Sequence, residues 1–371
     1  MSIRQVTKWA RVLFAVVLAG AILGLWGDRD ALPILIVAGP ITLLDVANGA
    51  TSPVKQTFIM GLVEKMWTLG EKLPFVPASA VDGALFSRTT ELPGLQWRKI
   101  GQPSVAVQSR RVQFREGLRL IREHIDIDSA LVNDPSAPNE VRFQMETVQE
   151  SIGYGFNDAA INGDPTVDPE QPTGLDYRLR NDPVFHGGVA AGNDRGQVID
   201  SAGLDVDANS TNMHNWLDNL HELVRRCDGK VDAFLANGQT IFKLASILRR
   251  EKQLQTTTDL FDRQIDMFAR VPLVDLGVKP AGAVTKATGQ QIFPHNTQTS
   301  PFAATANTSW VGAVRIDDTR FTGLQREAIK VDEIGVLPND PSVHRIAYIE
   351  WLVAMAALQR NAAAANYGLV I

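Results

Sequence analysis

Cysteine is almost absent from the sequence, since Cys227 is the only one in 371 residues. A disulfide framework within one chain and a zinc site built on cysteines are therefore excluded. Arg225 and Arg226 precede Cys227 near a predicted helix end and favour its thiolate, but a lone thiol in such a place is usually inert. We expect Cys227 to be a structural residue.

An excess of basic charge is also lacking. The chain has 36 lysine and arginine residues against 41 aspartate and glutamate residues, which gives a net charge of -5. A strongly basic wrapper of nucleic acid is therefore excluded, although loose contact with nucleic acid is not. Hydrophobic residues make up 45% of the chain and charged residues 21%. These values are typical of a globular protein, and the length predicts roughly two or three domains.

The motifs that indicate enzymes are missing too. The sequence has no Walker loop, no G-x-S-x-G elbow and no H-E-x-x-H pair. The glycine-rich residues 187–192 have no preceding strand that would make them a dinucleotide site. His214 and His221 share a helix side, but neither a carboxylate nor a third histidine completes a metal site. We therefore expect no catalytic residues and no cofactor.

Asp205, Asp207 and Asn209 are spaced like the start of a calcium-binding loop. Ser210 stands where such a loop needs glycine, and Trp216 stands where it needs glutamate. The pattern is therefore incomplete, and we expect no metal ion.

The N-terminal residues differ from the rest of the chain. Arg4, Lys8 and Arg11 precede an apolar run over residues 12–27, an order found in secretory signals and membrane anchors. A helix that spans a membrane needs at least about 17 apolar residues, and this run is shorter. Three interpretations stay open: a membrane or signal element, an arm that packs on a neighbouring subunit, and an artefact of an upstream start. We favour the last, because the remainder resembles a soluble protein.

An amphipathic helix is predicted after Ser52 and Pro53, which suit the cap and the first turn of a helix. Phe58, Leu62 and Met66 recur on one face of this helix. That face must pack either on the chain's own core or on another chain.

A hairpin is predicted over residues 84–101. Pro93 and Gly94 are the pair that a type II turn requires at its centre, and residues 84–90 and 95–100 are the predicted strands. Neither strand shows a clean alternation of apolar and polar residues. Because an isolated hairpin is only marginally stable, we expect it to need a partner surface.

Residues 139–161 give the strongest helix prediction, with apolar residues at three- and four-residue spacing on one face. Helices and strands then mix without a regular alternation, so the predicted class is α+β. The run 343–358 is too continuously apolar to choose between a strand and a buried helix. The other predicted helices lie near residues 213–224 and 241–248, and the other predicted strands near 233–236, 271–276, 310–316 and 328–334.

Several short motifs occur in a definite order. The first ends the long helix with Asn162, Gly163 and Asp164, and Gly174 and Leu175 follow it. The later motifs are residues 261–265, 270–275, 322–325, 344–345, 349–351 and 363–368. In this order, over about residues 41–371, they resemble the tailed-bacteriophage major capsid proteins of the Hong Kong 97 type.

The resemblance implies an α+β fold with an N-terminal arm, an extended hairpin loop, a long spine helix, and peripheral and axial domains. It also implies a structural subunit, not an enzyme, that self-assembles into an icosahedral capsid enclosing a phage genome. The implied divisions are 1–40 (apolar segment outside the resemblance), 41–76 (arm), 77–125 (extended loop and flanking strand), 126–204 (spine helix and part of the peripheral domain), 205–318 (axial domain) and 319–371 (remainder of the peripheral domain).

The implied partner is the chain itself, in hexamers and pentamers that assemble in the host cytoplasm and end in the virion. Scaffolding, portal and decoration proteins are further implied partners, as is packaged DNA by non-specific contact, whereas a membrane is not expected. The predicted subunit interface has two parts, the helix face of Phe58, Leu62 and Met66 and the extended loop. The loop residues concerned are Leu92, Pro93, Gly94, Trp97, Arg98 and Lys99.

Some relatives join a lysine of the extended loop covalently to an asparagine near the C-terminus. Lys99, Asn361 and Asn366 offer these residue types, with Glu350 as a proton acceptor. Nothing in their spacing demands the reaction, so we do not expect it.

Two other functions stay open. An encapsulin-type nanocompartment shares the fold but encloses an enzyme instead of a genome. A membrane-anchored protein of another activity would rest on residues 12–27 alone.

Overall fold

The computed structural model describes most of the chain after residue 39. The described ranges are 40–50, 53–66, 68–78, 83–91, 93–95, 97–102, 108–128, 140–182, 185, 194–279, 290–297, 305–332, 335–337 and 340–371. The apolar run 12–27 and the loop residue Leu92 lie outside these ranges. Residues 40–371 belong to one unit, which is described below.

The described helices are α1 (Leu43–Asn48), α2 (Pro53–Met66), α3 (Thr68–Lys72), α4 (Glu140–Asn162), α5 (Leu175–Asn181), α6 (Ser210–Arg226) and α7 (Gly238–Arg250). The 23-residue α4 confirms the long helix predicted over residues 139–161. α2 packs along α4. Gly61 and Gly153 allow this close approach, because a Cβ on Gly61 would lie 2.8 Å from Gln149 Oε1 and a Cβ on Gly153 would lie 2.8 Å from the Lys65 Cβ.

One sheet has six strands within the described ranges: β1 (Phe75–Pro77), β4 (Arg119–Asp128), β12 (Phe321–Gln325), β13 (Lys330–Asp332), β14 (Gly335–Leu337) and β15 (Asp340–Ala357). The order is β1-β12-β15-β13, and β4 and β14 also pair with β15. The run 343–358 is therefore mostly strand. Its continuous apolar character follows from the burial of residues 353–357, which pair with β12.

A second sheet has eight described strands in the order β5-β6-β16-β11-β7-β10-β9-β8. They are β5 (Asp194–Arg195), β6 (Val198–Asp205), β7 (Ala233–Leu235), β8 (Gln255–Thr258), β9 (Gln264–Phe268), β10 (Val271–Val274), β11 (Ser309–Val314) and β16 (Ala363–Val370). β7, β10 and β11 lie at the strands predicted from the sequence. Helices and strands mix without regular alternation, so the α+β class is confirmed.

The remaining strands, β2 (Ala84–Glu91) and β3 (Arg110–Glu116), form an antiparallel two-stranded ribbon. The predicted hairpin is therefore wrong in its second half, because the partner of β2 is β3 and residues 97–100 form no strand. Pairing with β3 sets Phe86 beside Phe114, with ring centroids 5.8 Å apart. This contact between apolar side chains outweighs the local turn preference of the Pro93–Gly94 pair.

Apolar side chains form two main clusters. The first joins α2 and α4 to the six-stranded sheet, and in it the Trp351 ring lies 5.3 Å from the rings of both Phe75 and Phe156. The second joins α6 and α7 to the eight-stranded sheet and buries Trp216 and Leu220 completely. Burial of apolar surface contributes about 25 cal/mol per Å² to stability. The burial in these clusters is therefore the main force that holds the unit together.

Candidate assembly surface: the ribbon and its loop

The β2–β3 ribbon has no hydrophobic core of its own. Leu85 is 63% exposed and Val112 is 48% exposed, and the other residues of β3 before Glu116 are exposed or half-buried. Ala84 and the half-buried Phe86 pack against the six-stranded sheet, but a two-stranded ribbon is otherwise only marginally stable in water. The ribbon must therefore be held by contacts at its base or by a surface outside the chain.

The loop that joins β2 to β3 presents large apolar side chains to solvent. Leu95 is 79% exposed, Trp97 is 91% exposed and Ile100 is fully exposed. Single exposed apolar residues are common on protein surfaces, but three large ones within six residues are unusual and favour a contact site.

Most of the predicted loop interface residues share this exposure. Pro93, Gly94, Arg98 and Lys99 are exposed, and a Cβ added to Gly94 would meet nothing within 4 Å. The Gln102 N–H donates to the Lys99 carbonyl over 3.2 Å and turns the chain there. These residues are placed where a neighbour can reach them, and their contact with a neighbour stays a prediction.

Arg88 anchors β2 to the body of the protein. Its Nη2 donates to the Ala357 carbonyl over 2.7 Å and its Nε to the Leu358 carbonyl over 3.0 Å. Its Nη1 lies 3.5 Å from the Asp182 carboxylate, and its guanidinium stacks 4.4 Å over the Phe114 ring. Burial lowers the pKa of Arg88, and the charge of Asp182 offsets part of that shift.

A second buried pair anchors β3. Arg178 of α5 donates to both oxygens of Glu116, over 2.5 Å and 2.9 Å, and its Nη2 also donates to the Met355 carbonyl over 3.0 Å. Glu116 is 8% exposed and Arg178 5% exposed. Sequence analysis missed Arg88, Glu116 and Arg178, because their partners lie far away in the chain.

The helix face predicted as interface lies instead in the chain's own core. Phe58, Leu62 and Met66 each have 0% of their surface exposed, and they belong to the cluster that joins α2 and α4. Gln149 of α4 donates to the Phe58 carbonyl over 3.2 Å and ties the two helices together. These three residues have no surface left for a neighbour, so this part of the predicted interface is corrected.

The residues considered for a covalent crosslink lie in different settings. Lys99 is exposed on the loop, whereas Asn366 in β16 is completely buried and accepts a hydrogen bond from Ser201. The Asn361 amide donates to Asp228. Asn366 would have to leave its strand to react with a lysine of another chain, and the crosslink itself stays untested.

Glu350, the proposed proton acceptor, is already engaged on β15. Its Oε2 accepts hydrogen bonds from Tyr348 Oη over 2.6 Å and from Arg122 over 3.0 Å. These hydrogen bonds, that of Tyr348 first, lower its pKa. Both hydrogen bonds favour the ionised carboxylate of Glu350 over its protonated form.

The lone cysteine and the incomplete calcium-loop pattern of the sequence have structural roles. Burial raises the pKa of the Cys227 thiol to about 12, Asn209 caps α6 by accepting from the Asn212 N–H, and Asp207 pairs with Lys243. Within the described ranges no three histidine, cysteine, aspartate or glutamate side chains are placed to hold a metal ion. None of the described helices combines the length and the apolar character that crossing a membrane requires.

Residues 55–224 match a family described as Major capsid protein GP7, a range that includes α2 from its third residue, the ribbon, its loop, α4 and α5. No curated protein matches the chain. The capsid of a native GTA particle is 13% identical, with 83% of this chain and 91% of that chain covered and a TM-score of 0.50. The match and this similarity confirm the Hong Kong 97 type fold expected from the sequence.

Other solved structures give lower TM-scores. The SrpI encapsulin of Synechococcus elongatus PCC 7942 is 14% identical, with 94% of each chain covered and a TM-score of 0.47. The Gordonia phage Cozz structure is 11% identical, with 84% of this chain and 87% of that chain covered and a TM-score of 0.43.

Proposed function

We propose that this chain, whose residues 55–224 match the major capsid protein family, is the structural subunit of an icosahedral capsid that encloses a phage genome. Copies associate in hexamers and pentamers, and these close into a shell. The function needs no chemical step. Its mechanism is the formation of the same contacts many times over.

The observation that carries the proposal is the ribbon inside the matched range. Its base is fixed by the buried partners of Arg88 and Glu116, while its loop exposes Trp97 and Ile100 almost completely. A firmly held element that ends in exposed apolar side chains is suited to binding another chain. A shell subunit, which must bind neighbouring copies, is well served by this arrangement.

The loop and its receiving surface must lie on different parts of the subunit. Such a head-to-tail contact generates a ring when its rotation closes, and rings of five and six copies close a shell. One chain must then occupy slightly different surroundings at each position. The loop between β2 and β3 is suited to this, because its described residues make few contacts with the body and can adjust to each neighbour.

Further partners belong to the same proposal. Packaged DNA touches the shell by non-specific contact only, because a net charge of -5 does not favour tight binding of a polyanion. Scaffolding, portal and decoration proteins bind during assembly in the host cytoplasm, and the assembled chain is found in the virion.

Negative-stain electron microscopy after size-exclusion chromatography tests the proposal. We expect uniform closed particles or rings of five and six copies. Nucleic acid inside the particles would support a phage capsid, and an enclosed enzyme would point instead to a nanocompartment. A protein that stays monomeric over a wide range of salt and protein concentrations would contradict a shell function.

A further inference from the structure

We propose that the loop of residues 163–174 of one copy binds the solvent-facing side of α7 on a second copy. The inference rests on the proposed shell function and adds a contact between copies to it. The loop begins directly after α4, whereas α7 packs on the eight-stranded sheet. The two surfaces are separate parts of one chain, so the contact is head-to-tail.

The loop of residues 163–174, which we call the acidic loop, is held in a defined shape. The Gly174 N–H donates to the Gly163 carbonyl over 2.7 Å and closes the loop at its base. The Asp164 carboxylate accepts from the Thr166 N–H over 2.8 Å and from the Thr166 hydroxyl over 2.5 Å. A loop that is already ordered loses little conformational entropy when it binds a partner.

The tip of the acidic loop presents an apolar side chain among carboxylates. Val167 is 82% exposed. The acidic loop contains three acidic residues, Asp164, Asp168 and Glu170, and no basic residue. The hydrogen bond from the Thr166 hydroxyl lowers the pKa of Asp164, so this carboxylate is ionised at neutral pH. The acidic loop is therefore suited to a partner that combines an apolar group with cations.

α7 provides such a surface. The helix contains three basic residues, Lys243, Arg249 and Arg250, and no acidic residue. One side of α7, which includes Leu244 and Leu248, is buried against the sheet. The opposite side, which we call the α7 face, consists of Gln239, Phe242, Ser246, Arg249 and Arg250.

Phe242 is the apolar centre of the α7 face. It is 72% exposed, so the folded chain leaves most of its ring in water. Ser246 and Arg249 follow it at spacings of four and seven residues, which places the three side chains in one row. Arg249 lies about 10 Å from Phe242 along the helix at 1.5 Å per residue.

The acidic loop and the α7 face match in apolar and in charged groups. Contact between Val167 and Phe242 covers apolar surface on both sides, and a covered phenylalanine buries about 150 to 250 Å². Glu170 follows Val167 by three residues, which span up to about 10 Å when extended. Its carboxylate can therefore reach Arg249 while Val167 contacts Phe242. The opposite charges fix the orientation of the two copies.

A double variant with Val167→Cys and Phe242→Cys tests the contact by disulfide trapping. The variant is assembled, oxidised and run on a non-reducing denaturing gel. Each chain is linked to the next in a head-to-tail ring, so we expect a ladder of bands that ends at five and six chains. The native Cys227 does not compete, because it is buried. Unassembled chains should give no ladder.

The matched control replaces Phe242→Cys by Leu260→Cys. Leu260 is 48% exposed and lies on the turn between β8 and β9, outside the α7 face. Particles of the Val167→Cys and Phe242→Cys variant without a ladder above this control would overturn the contact and leave the proposed function standing. Wild-type chains that form no particles would contradict both.

Charge reversal provides a second measurement in case the cysteine variants do not assemble. Glu170→Lys places a cation against the arginines of the α7 face, so we expect the protein concentration needed for assembly to rise by about fivefold or more. Arg249→Glu combined with Arg250→Glu should have a similar effect, because it places carboxylates against the acidic loop. All three substitutions in one chain should restore assembly to within about twofold of the wild type.

Thermal unfolding of the dissociated subunits is the control for this series. The three substituted residues are exposed, so the unfolding temperature should change little. Losses of assembly that add up in the triple variant, or no loss for Glu170→Lys alone, would overturn the contact between the acidic loop and the α7 face.

Discussion

Arg178 and Glu116 form a buried bidentate ion pair that joins α5 to the end of β3, with N–O distances of 2.5 Å and 2.9 Å. The second arginine of the base, Arg88, joins β2 to the carbonyls of Ala357, the last residue of β15, and of Leu358. Both strands of the ribbon are thus held by largely buried charged groups. The ribbon keeps its direction without a core of its own, and its loop, with the exposed Trp97 and Ile100, is attached to a fixed base.

Replacing Arg178→Met alone leaves the Glu116 carboxylate buried without its partner. Breaking a buried pair in this way costs about 3 to 5 kcal/mol of the free energy of unfolding. Urea denaturation of the dissociated subunit measures the loss. The double variant Glu116→Leu with Arg178→Met recovers most of the stability, because no charge is then left unpaired.

The matched control is Arg142→Ala, which removes an exposed pair with Glu146 on α4. Exposed pairs contribute little, so the denaturation midpoint should not move measurably. Equal losses of the free energy of unfolding for Arg142→Ala and Arg178→Met would show that the Arg178–Glu116 pair contributes no more to stability than an exposed ion pair.

The sequence predicted α4 well and the ribbon only in part, for a physical reason. A helix is recognised from neighbours three and four residues apart, and residues 139–161 contain that information locally. The pairing of β2 with β3 rests on contacts between residues that are distant in the sequence. Phe86 meets Phe114, and Arg88 and Glu116 bind residues more than sixty positions away. The Pro93–Gly94 pair, a local signal, therefore pointed to the wrong return strand.

The helix face of α2 shows a second limit of sequence reasoning. The spacing of Phe58, Leu62 and Met66 establishes that one face is apolar, but not which surface covers it. Gly61 and Gly153 permit α4 to approach closely enough to bury that face within the chain. Small residues at matching places on two amphipathic helices were a signal that could have favoured internal packing.

Cys227 should not react with iodoacetamide in the native protein at pH 8. Its thiol has a pKa raised by burial to about 12, so only about one molecule in ten thousand carries the thiolate at that pH. Mass spectrometry should find full alkylation after unfolding in guanidinium and almost none before it. Rapid labelling of the folded chain would contradict the burial of this residue and reopen a reactive role for it.

Removing the loop should separate folding from assembly. Glu91 and Arg110 are partners in the ribbon, so an Asn-Gly turn in place of residues 92–109 closes β2 and β3 directly. Arg88, Glu116 and their partners stay in place, and we expect a cooperative thermal transition close to that of the full chain. Electron microscopy should find no closed particles, and normal shells from this variant would contradict a role for the loop in assembly.

Trp97→Ala and Phe58→Ala should act on different steps, although the sequence placed both residues in one interface. Phe58 is completely buried in the subunit, so its truncation leaves a cavity and costs about 3 to 5 kcal/mol of subunit stability. Trp97 is 91% exposed, so its truncation changes subunit stability by no more than about 0.5 kcal/mol. If Trp97 anchors the contact between copies, a loss of about 2 kcal/mol per contact raises the protein concentration needed for assembly by more than tenfold.

Denaturation of the subunit and light scattering of assembly, measured on both variants, resolve the two effects. A destabilised subunit for Trp97→Ala, or unchanged assembly, would place the contact elsewhere.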